Sequence, residues 1–312
     1  MRTRLRVLIV GKSGQLSAAL AEAFCPAVFD VVRVGRPEID LAAPRPVFAI
    51  IKEMRPDIVI NAAAYTAVDQ AEDEPEAAQA VNVAGAEAVA RAAAETGAAI
   101  IHFSTDYVFD GMAARPYAED DVTSPGNVYG TTKRDGEIAV ANANPRHVIF
   151  RTAWLFSPFG SNFVKTILRL RTLQNEIGVV DDQRGCPTSA TDLACAVRDV
   201  AVKLVGSPES SSPNIFHAVN GGSTTWYGFA EKINEFASAR DNRIVAVRPI
   251  GSKDYPTRAR RPALSVLCAE KLSAHYGLRL RPWESALRDC IDRLMLLTSY
   301  RQEAAQIEGT AN

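Results

Sequence analysis

A tyrosine and a lysine four positions apart are the residues of this sequence best suited to chemistry. Tyr129 and Lys133 lie in the stretch Asn127-Val-Tyr-Gly-Thr-Thr-Lys133, and this spacing places two side chains on one face of a helix. A lysine held beside a phenol favours the phenolate, so the pair predicts a Tyr129 pKa that falls toward neutrality. Such a tyrosine can exchange a proton with the oxygen of a sugar or an alcohol. The same spacing also fits a solvated helix face, so the rest of the chain must decide.

A hydroxyl group is predicted near this pair. Ser104-Thr105-Asp106 follows the apolar run Ala98 to Phe103, which is typical of a buried strand. Ligands of open parallel sheets bind beyond the carboxyl ends of the strands. Thr105 is therefore expected to lie beside the reacting group.

The elements that must position these residues follow a β-α-β rhythm. Five apolar strand signals alternate with helical stretches in the first 150 residues, which predicts an α/β fold with a doubly wound, parallel Rossmann sheet. The looser pattern that follows predicts a smaller, mostly C-terminal substrate-binding lobe. The expected boundaries are 1–160 plus roughly 188–222 for the cofactor domain, and roughly 161–187 plus 223–312 for the lobe. The five predicted strands are Arg6–Val10, Asp30–Val34, Ile58–Ile60, Ala98–Phe103 and His147–Phe150.

A glycine turn joins the first strand to the first helix. Gly11-Lys-Ser13-Gly14-Gln15-Leu16 lies in the strand-turn-helix context in which glycines let a backbone approach a pyrophosphate at a helix N-terminus. The spacing is G-x-x-G-x-x-S rather than G-x-G-x-x-G, so an ordinary βα turn is the alternative. The small residues Ala62, Ala63 and Ala64, after the third strand, could likewise lie against a cofactor.

The end of the second strand bears on the choice of cofactor. An acidic residue there commonly binds the ribose of NAD, whereas this chain has Gly35-Arg36. An arginine can pair with a 2′-phosphate, so the sequence favours NADPH, with NADH as the alternative. Arg33 competes for this role, and a surface arginine is the plain interpretation.

The composition excludes several other classes of function. The 312 residues are 47% hydrophobic and 23% charged with a net charge of −1, which gives no electrostatic reason to bind nucleic acid or an anionic membrane. The apolar run Leu5 to Val10 is too short for a signal sequence or a membrane span. Five scattered cysteines predict reduced thiols in the cytoplasm, and the dispersed histidines predict no structural metal.

Two features of the second half stay open. The basic segment Arg258 to Arg261 could contact a phosphorylated substrate or form a solvated loop, and Arg184 poses the same question. Trp226 and Trp283 are predicted to anchor their helices in the core.

Taken together, these motifs resemble the extended short-chain dehydrogenase/reductase superfamily and, within it, the dTDP-4-dehydrorhamnose reductase family over nearly the full length. Ser104-Thr-Asp-Tyr-Val-Phe109 and Asp182-Gln-Arg-Gly-Cys-Pro-Thr188 carry the more specific part of the resemblance. The other matching stretches are Gly11–Gln15, Arg36–Leu41, Asn61–Asp69, Asn127–Lys133, Phe150–Trp154, Gly222–Trp226 and Arg261–Pro262.

The resemblance implies a reaction, the NAD(P)H-dependent reduction of the 4-keto group of dTDP-4-dehydro-β-L-rhamnose to dTDP-L-rhamnose. It implies that Tyr129 donates the proton, that Lys133 holds the nicotinamide ribose, and that Thr105 binds the reacting oxygen. It further implies cofactor contacts at Gln15, Leu16, Asp40, Leu41, Ala63, Ala64, Tyr65 and Phe103, and sugar contacts at Thr66, Val68, Asp106 and Trp154.

The departures and alternatives concern assembly and activity. Some members bridge a homodimer with magnesium through glutamates, but Ala19 and Thr191 stand at those places, so a magnesium bridge is not expected and a homodimer is left open. One alternative is a catalytically silent scaffold resembling the regulatory subunit of methionine adenosyltransferase. Another is a different nucleotide-sugar reductase, epimerase or dehydratase. A dehydratase would usually have an acidic residue at Tyr107.

Overall fold

The computed structural model describes residues 4–43, 45–206 and 215–310, and its strands lie between residues 5 and 250. Within these ranges the strands are, in chain order, Leu5–Val10 (β1), Phe29–Val34 (β2), Ile58–Asn61 (β3), Ala99–Thr105 (β4), His147–Thr152 (β5), Leu155–Phe156 (β6), Glu176–Val180 (β7), Arg184–Gly185 (β8), Thr188–Ser189 (β9), Ile215–His217 (β10), Thr224–Thr225 (β11) and Ala246–Ile250 (β12).

Six of these strands form one parallel sheet in the order β10-β5-β4-β3-β1-β2. All five strands predicted from the first 150 residues belong to it. The chain order reverses between β1 and β3, since β2 lies on one side of β1 and the later strands on the other. Such a switch point opens a crevice at the carboxyl ends of the strands, where ligands of this fold bind.

Helices cover both faces of this sheet. Over the described residues, the α-helices on the sheet and outside it are, in chain order, Gln15–Ala23 (α1), Arg45–Met54 (α2), Val68–Asp73 (α3), Pro75–Gln79 (α4), Ala86–Glu95 (α5), Val128–Ala143 (α6), Phe163–Leu173 (α7), Ala190–Gly206 (α8), Trp226–Asp241 (α9), Glu270–Tyr276 (α10) and Trp283–Thr310 (α11). A π-helical turn, Ala80–Gly85, joins α4 to α5. One hydrophobic cluster packs α1 and α8 on the sheet, and a second packs α2 and α5 on the opposite face. The doubly wound fold is therefore confirmed.

A third hydrophobic cluster lies outside the sheet. It joins α7, α9 and α11 to the parallel pair β7–β12. Its helices also enclose Arg171, which is 2% exposed and bonds Asn234, Asp241 and the carbonyl of Arg243. We refer to this cluster and its elements as the second unit. No helix within the described ranges is both long and apolar enough to cross a membrane.

Candidate active site

The start of α6 is fixed against the end of β4, and this brings Tyr129 to the sheet edge. Asn127 caps the helix by accepting a hydrogen bond from the Gly130 amide at 2.7 Å, and Glu72 accepts one from the Val128 amide at 2.8 Å. A Cβ on Gly130 would lie 2.1 Å from the carbonyl oxygen of Tyr107. Glycine at this position therefore lets the helix approach the chain that leaves β4.

Thr105 is the last residue of β4 and is buried beside Tyr129. Its hydroxyl donates to Asp106 Oδ1 at 2.9 Å and accepts from the Tyr107 amide at 3.2 Å. The Tyr129 ring meets Tyr107 edge to face, with the ring centroids 5.8 Å apart. The threonine and tyrosine hydroxyls are hydrogen-bonded to each other, and both residues line one cavity, as the sequence predicted.

The electrostatics of Tyr129 differ from the prediction. Burial raises the pKa of the phenol, with a smaller opposing effect from a hydrogen bond with Thr105. The Lys133 ammonium donates at 2.6 Å to the carbonyl of Phe103, and burial lowers its pKa to about 8. The expected fall of the Tyr129 pKa was wrong for this state of the protein, because desolvation of the phenolate dominates. Tyr129 is accordingly protonated at neutral pH.

Asp106 is a buried carboxylate at the same sheet edge. It is 3% exposed, and burial raises its pKa from 3.8 to about 6 although hydrogen bonds from Ser265 and Thr105 oppose the shift. Because the folded state binds the proton more tightly than the unfolded chain does, the ionised carboxylate destabilises the fold. This cost is fully present above about pH 6 and is lost as the pH falls toward 3.8.

The variant Asp106→Asn is expected to change the pH dependence of stability. Its unfolding free energy relative to wild type should be about 1 to 2 kcal/mol higher at pH 7.5 than at pH 5, because only the wild type carries the buried charge. Chemical denaturation at the two pH values measures the difference. A pH-independent difference would show that Asp106 keeps an ordinary pKa.

Most of the predicted site residues meet in one cavity of about 420 Å³ at the carboxyl ends of β1, β3, β4 and β5. The predicted residues that line it are Ser13, Gly14, Gln15, Leu16, Ala62, Ala63, Ala64, Thr66, Phe103, Thr105, Asp106, Tyr129, Lys133 and Trp154.

The other predicted residues lie around this cavity rather than on its wall. Gly11 has a φ of 113° and packs on the backbone of Ala62 and Ala63. Arg36 and Asp40 are exposed beyond β2, whereas Leu41 is 5% exposed in the core. Tyr65 hydrogen-bonds to Asn82 and Glu74. Val68 is partly buried at the start of α3.

The cavity has the features that a dinucleotide requires. α1 begins after Gly14, which has no side chain to cap the helix, so the first amides are left for an anion. A Cβ built on Gly14 meets no atom within 4 Å. Among the described residues, the buried hydroxyls of Ser104 and Thr152 lack a hydrogen-bond partner, and both line the cavity. The residues present therefore fit a polar, phosphate-bearing ligand.

A second, larger cavity of about 660 Å³ lies beside the first, between α3, α7, β7 and the segment 255–261. Apolar side chains of the second unit form one wall, and Arg258 and Arg261 stand on another. Arg261 pairs with Asp69 at 2.6 Å, and Arg258 pairs with Asp73. The basic segment thus lines a cavity wall. Arg184 instead donates to Ser223.

Several residues at the site were missed by sequence reasoning. Asn82, in the π-helical turn, bonds both backbone groups of Tyr65 and the hydroxyl of Thr132, which ties the β3 loop to α6. Lys12 packs on Gly35 and pairs with Glu38 at 2.6 Å near Arg36. The strand-end rule, which pointed to Ser104 and Thr105, could also have identified Asn61 and Thr152. The loop residues Gly160 and Ser161 also line the cavity, but no sequence motif marks them, because tertiary packing brings them there.

Comparison with known proteins agrees with this architecture. The family model described as RmlD substrate binding domain matches residues 5–296. The dTDP-4-dehydrorhamnose reductase of Sinorhizobium fredii is 44% identical over 292 residues, which cover 94% of this chain and 98% of that protein.

Solved structures give the same result. A dTDP-4-dehydrorhamnose reductase from Bacillus anthracis in complex with NADP superposes with a TM-score of 0.86 at 36% identity, covering 93% of this chain and 99% of that one. The UDP-glucose 4-epimerase of Thermus thermophilus, at 19% identity and a TM-score of 0.76, shares the fold. The chain therefore belongs to the RmlD substrate binding domain family, and it is similar over nearly its full length to the dTDP-4-dehydrorhamnose reductases of Sinorhizobium fredii and Bacillus anthracis.

Proposed function

We propose that this protein is an NAD(P)H-dependent reductase that converts the 4-keto group of dTDP-4-dehydro-β-L-rhamnose into the alcohol of dTDP-L-rhamnose. The observation that carries the proposal is the grouping of Thr105, Tyr129 and Lys133 at one end of the 420 Å³ cavity. The choice of substrate is supported by the names of the relatives, which are dTDP-4-dehydrorhamnose reductases.

Tyr129 is assigned the role of proton donor. A ketone that accepts a hydride becomes an alkoxide, which needs a proton at its oxygen. The raised pKa of Tyr129 keeps the phenol protonated in the resting protein. The same shift makes the phenolate costly to leave behind, so a cation near the phenol is needed at the moment of transfer.

Lys133 is assigned that electrostatic role, and Thr105 is assigned the contact with the reacting oxygen. The dinucleotide, when bound, supplies the hydride. Lys133 is buried one helical turn after Tyr129 and carries three N–H donors, of which one engages the Phe103 carbonyl. The remaining donors are available to a ribose hydroxyl. A positioned donor such as the Thr105 hydroxyl is commonly worth about 3 kcal/mol toward an oxyanion.

The 660 Å³ cavity is assigned to the nucleoside diphosphate. Guanidinium groups bind phosphate oxygens in a bidentate manner, and Arg258 and Arg261 both line this cavity. Arg258 pairs with Asp73 and Arg261 with Asp69 at the rim of this cavity. The apolar wall, which includes Ile167 and Val179, suits a base.

The alternative functions would need different residues at this site. A scaffold would need no proton donor, so the Thr105, Tyr129 and Lys133 grouping speaks against it. A dehydratase needs an acid at position 107, where Tyr107 has a pKa raised by burial to about 12 and faces Arg261 at 5.8 Å.

Consumption of NADPH with enzymatically generated dTDP-4-dehydro-β-L-rhamnose tests the proposal. We expect stoichiometric formation of dTDP-L-rhamnose, and slower turnover with the corresponding uridine compound. Normal NADPH binding without any turnover would refute the reductase function and favour the scaffold.

The choice between cofactors is proposed to depend on Arg36. Arg36→Asp is expected to weaken NADPH binding by about tenfold while NADH binding changes little, because a phosphate contact is replaced by charge repulsion. Titration with each nucleotide measures the ratio, and Arg33→Asp tests the competing arginine in the same way. An unchanged ratio for the Arg36 variant would reject this role for Arg36, and a changed ratio for the Arg33 variant would assign the 2′-phosphate to Arg33.

The domain division, assembly and location are also proposals. We propose that 1–160 plus roughly 188–222 bind the cofactor and that the remainder binds the substrate, since separate hydrophobic clusters support the two parts.

All five cysteines are free, which supports a cytoplasmic location. Within the described ranges, no group of three or more His, Cys, Asp or Glu side chains is arranged to hold a metal ion. Ala19 and Thr191 cannot supply the carboxylates of a magnesium bridge, so a homodimer, which stays open, is proposed to rest on other contacts.

A further inference from the structure

Trp154 adopts a conformation that its own sequence does not favour. Its φ is 46°, in the left-handed region that bulky residues rarely enter. Its indole lies on that of Trp226 with the ring centroids 3.5 Å apart and the planes 8° apart. Aromatic pairs prefer offset or edge-to-face contacts with centroids roughly 4.5 to 7 Å apart. Both the backbone and the stacking geometry must therefore be imposed by the surroundings.

Gly185 limits the position of the Trp154 indole on the side away from Trp226. A Cβ at position 185 would lie 2.5 Å from Cε2 and 2.7 Å from Nε1 of Trp154. No side chain larger than that of glycine fits while the indole keeps its place. The indole of Trp154 is thus packed tightly between Gly185 and Trp226.

Gly185 and Trp226 are held at a fixed separation by one short antiparallel ribbon. β8 pairs with β11 through Thr224 opposite Gly185 and Thr225 opposite Arg184. Thr225 then caps α9 by accepting a hydrogen bond from the Gly228 amide at 3.0 Å, which fixes Trp226 at the first position of the helix. Phe163 supports Trp226 as well, with centroids 4.6 Å apart.

This arrangement stands between the two cavities. Trp154 lines the 420 Å³ cavity with Thr105 and Tyr129, whereas Trp226 lines the 660 Å³ cavity with Arg258 and Arg261. The prediction that Trp226 serves only as a core anchor was therefore incomplete, since a partly exposed face of it reaches a cavity.

We propose that Gly185 and Trp226 form a positioning slot that holds the Trp154 indole against the reacting sugar. Both are positioning residues, because they act through Trp154. The proposal rests on the reductase function proposed above, and it adds that β8 and the start of α9 set the geometry of the sugar pocket. A backbone conformation as rare as that of Trp154 is the kind that surrounding structure maintains at functional sites.

Two variants test the slot from opposite sides. Trp226→Leu removes the ring on which the Trp154 indole stacks. Gly185→Ala adds a methyl group that displaces the indole, and Gly185 itself lines neither cavity. Each is expected to lower kcat by about 100-fold, the effect of an ångström-scale misplacement, while NADPH affinity stays within about twofold of wild type. Trp226→Phe should recover most of the activity. Trp283→Phe, which removes a core tryptophan of the same unit, should leave kcat unchanged.

Two further readouts separate positioning from general damage. Closely stacked indoles give an exciton couplet in circular dichroism, which wild type and Trp283→Phe should show and Trp226→Leu should lack. Binding of dTDP-L-rhamnose and of dTDP is measured by calorimetry without turnover. Gly185→Ala should weaken only the sugar-bearing ligand, by about tenfold.

The outcomes are distinguishable from a failure of the proposed function. If wild type shows no turnover yet Gly185→Ala selectively weakens dTDP-L-rhamnose, the slot stands and the reductase function does not. The slot is refuted if wild type lacks the couplet. It is also refuted if Trp226→Leu and Gly185→Ala leave both kcat and the sugar contribution to binding within about twofold of wild type.

Discussion

Replacing Tyr129 with phenylalanine is expected to lower kcat by about 10³-fold, within the range of 10² to 10⁴ for loss of a positioned general acid. The ring stays, so its edge-to-face contact with Tyr107 and the docking of α6 should persist. What disappears is the one proton that the phenol holds at neutral pH. Single-turnover oxidation of NADPH at saturating sugar nucleotide isolates this step.

Tyr107→Phe is the matched control for this result. It removes a neighbouring hydroxyl at the same sheet edge, 5.8 Å away between ring centroids, and is expected to retain kcat within about fivefold because no proton transfer depends on it. NADPH affinity should be similar in both variants. Activity of Tyr129→Phe near the wild-type level would mean that the proton comes from another group, with Asp106 as the next candidate, since its pKa is raised to about 6.

Replacing Arg151 with methionine is expected to destabilise the fold by about 3–5 kcal/mol, the cost of leaving a buried charge unpaired. Arg151 and Glu137 are each 4% exposed and form a bidentate pair at 2.8 and 2.9 Å. This pair connects β5 to α6, the helix that carries Tyr129 and Lys133. Equilibrium denaturation, with m-values compared to wild type, measures the loss.

Two controls separate the pair from simple loss of a side chain. Arg248→Met disrupts the pair with Glu176, in which both side chains are 59% exposed, and should cost less than about 1 kcal/mol. The double variant Arg151→Met with Glu137→Met removes both charges and should recover part of the stability, because the Glu137 carboxylate is no longer left unpaired. The recovery is only partial because Lys133 loses the nearby charge of Glu137, which favours its ammonium form. If Arg151→Met alone costs as little as the exposed control, the buried carboxylate has another partner.

The parallel sheet was predictable because its signals are local. β1, β3, β4 and β5 are apolar runs bounded by glycine, proline or a polar turn, and burial on both faces requires that composition. β2, at the edge of the sheet, is partly exposed and carries charged residues. The glycine turn before α1 and the small residues after β3 were predictable for the same reason. These residues shape the site through the conformation of their own backbone, which depends on the residue type at that position.

The π-helical turn at Ala80–Gly85 was not predictable in this way. The alanine-rich stretch from Ala77 to Thr96 is typical of one regular helix, but the turn places Asn82 against Tyr65 and Thr132. Its partners lie 17 and 50 residues away. No local spacing encodes contacts of that separation.

By itself, the sequence determined the fold class, the family, and the Thr105, Tyr129 and Lys133 grouping that helical spacing and strand ends bring together. Only the tertiary structure decided the charge state of Tyr129. Helical spacing suggested a lowered pKa, whereas enclosure by β4, α6 and the following turn raises it. Desolvation depends on everything that surrounds a group in three dimensions, so a four-residue motif cannot fix it. The slot around Trp154 likewise exists only because β8 and β11 pair across the chain.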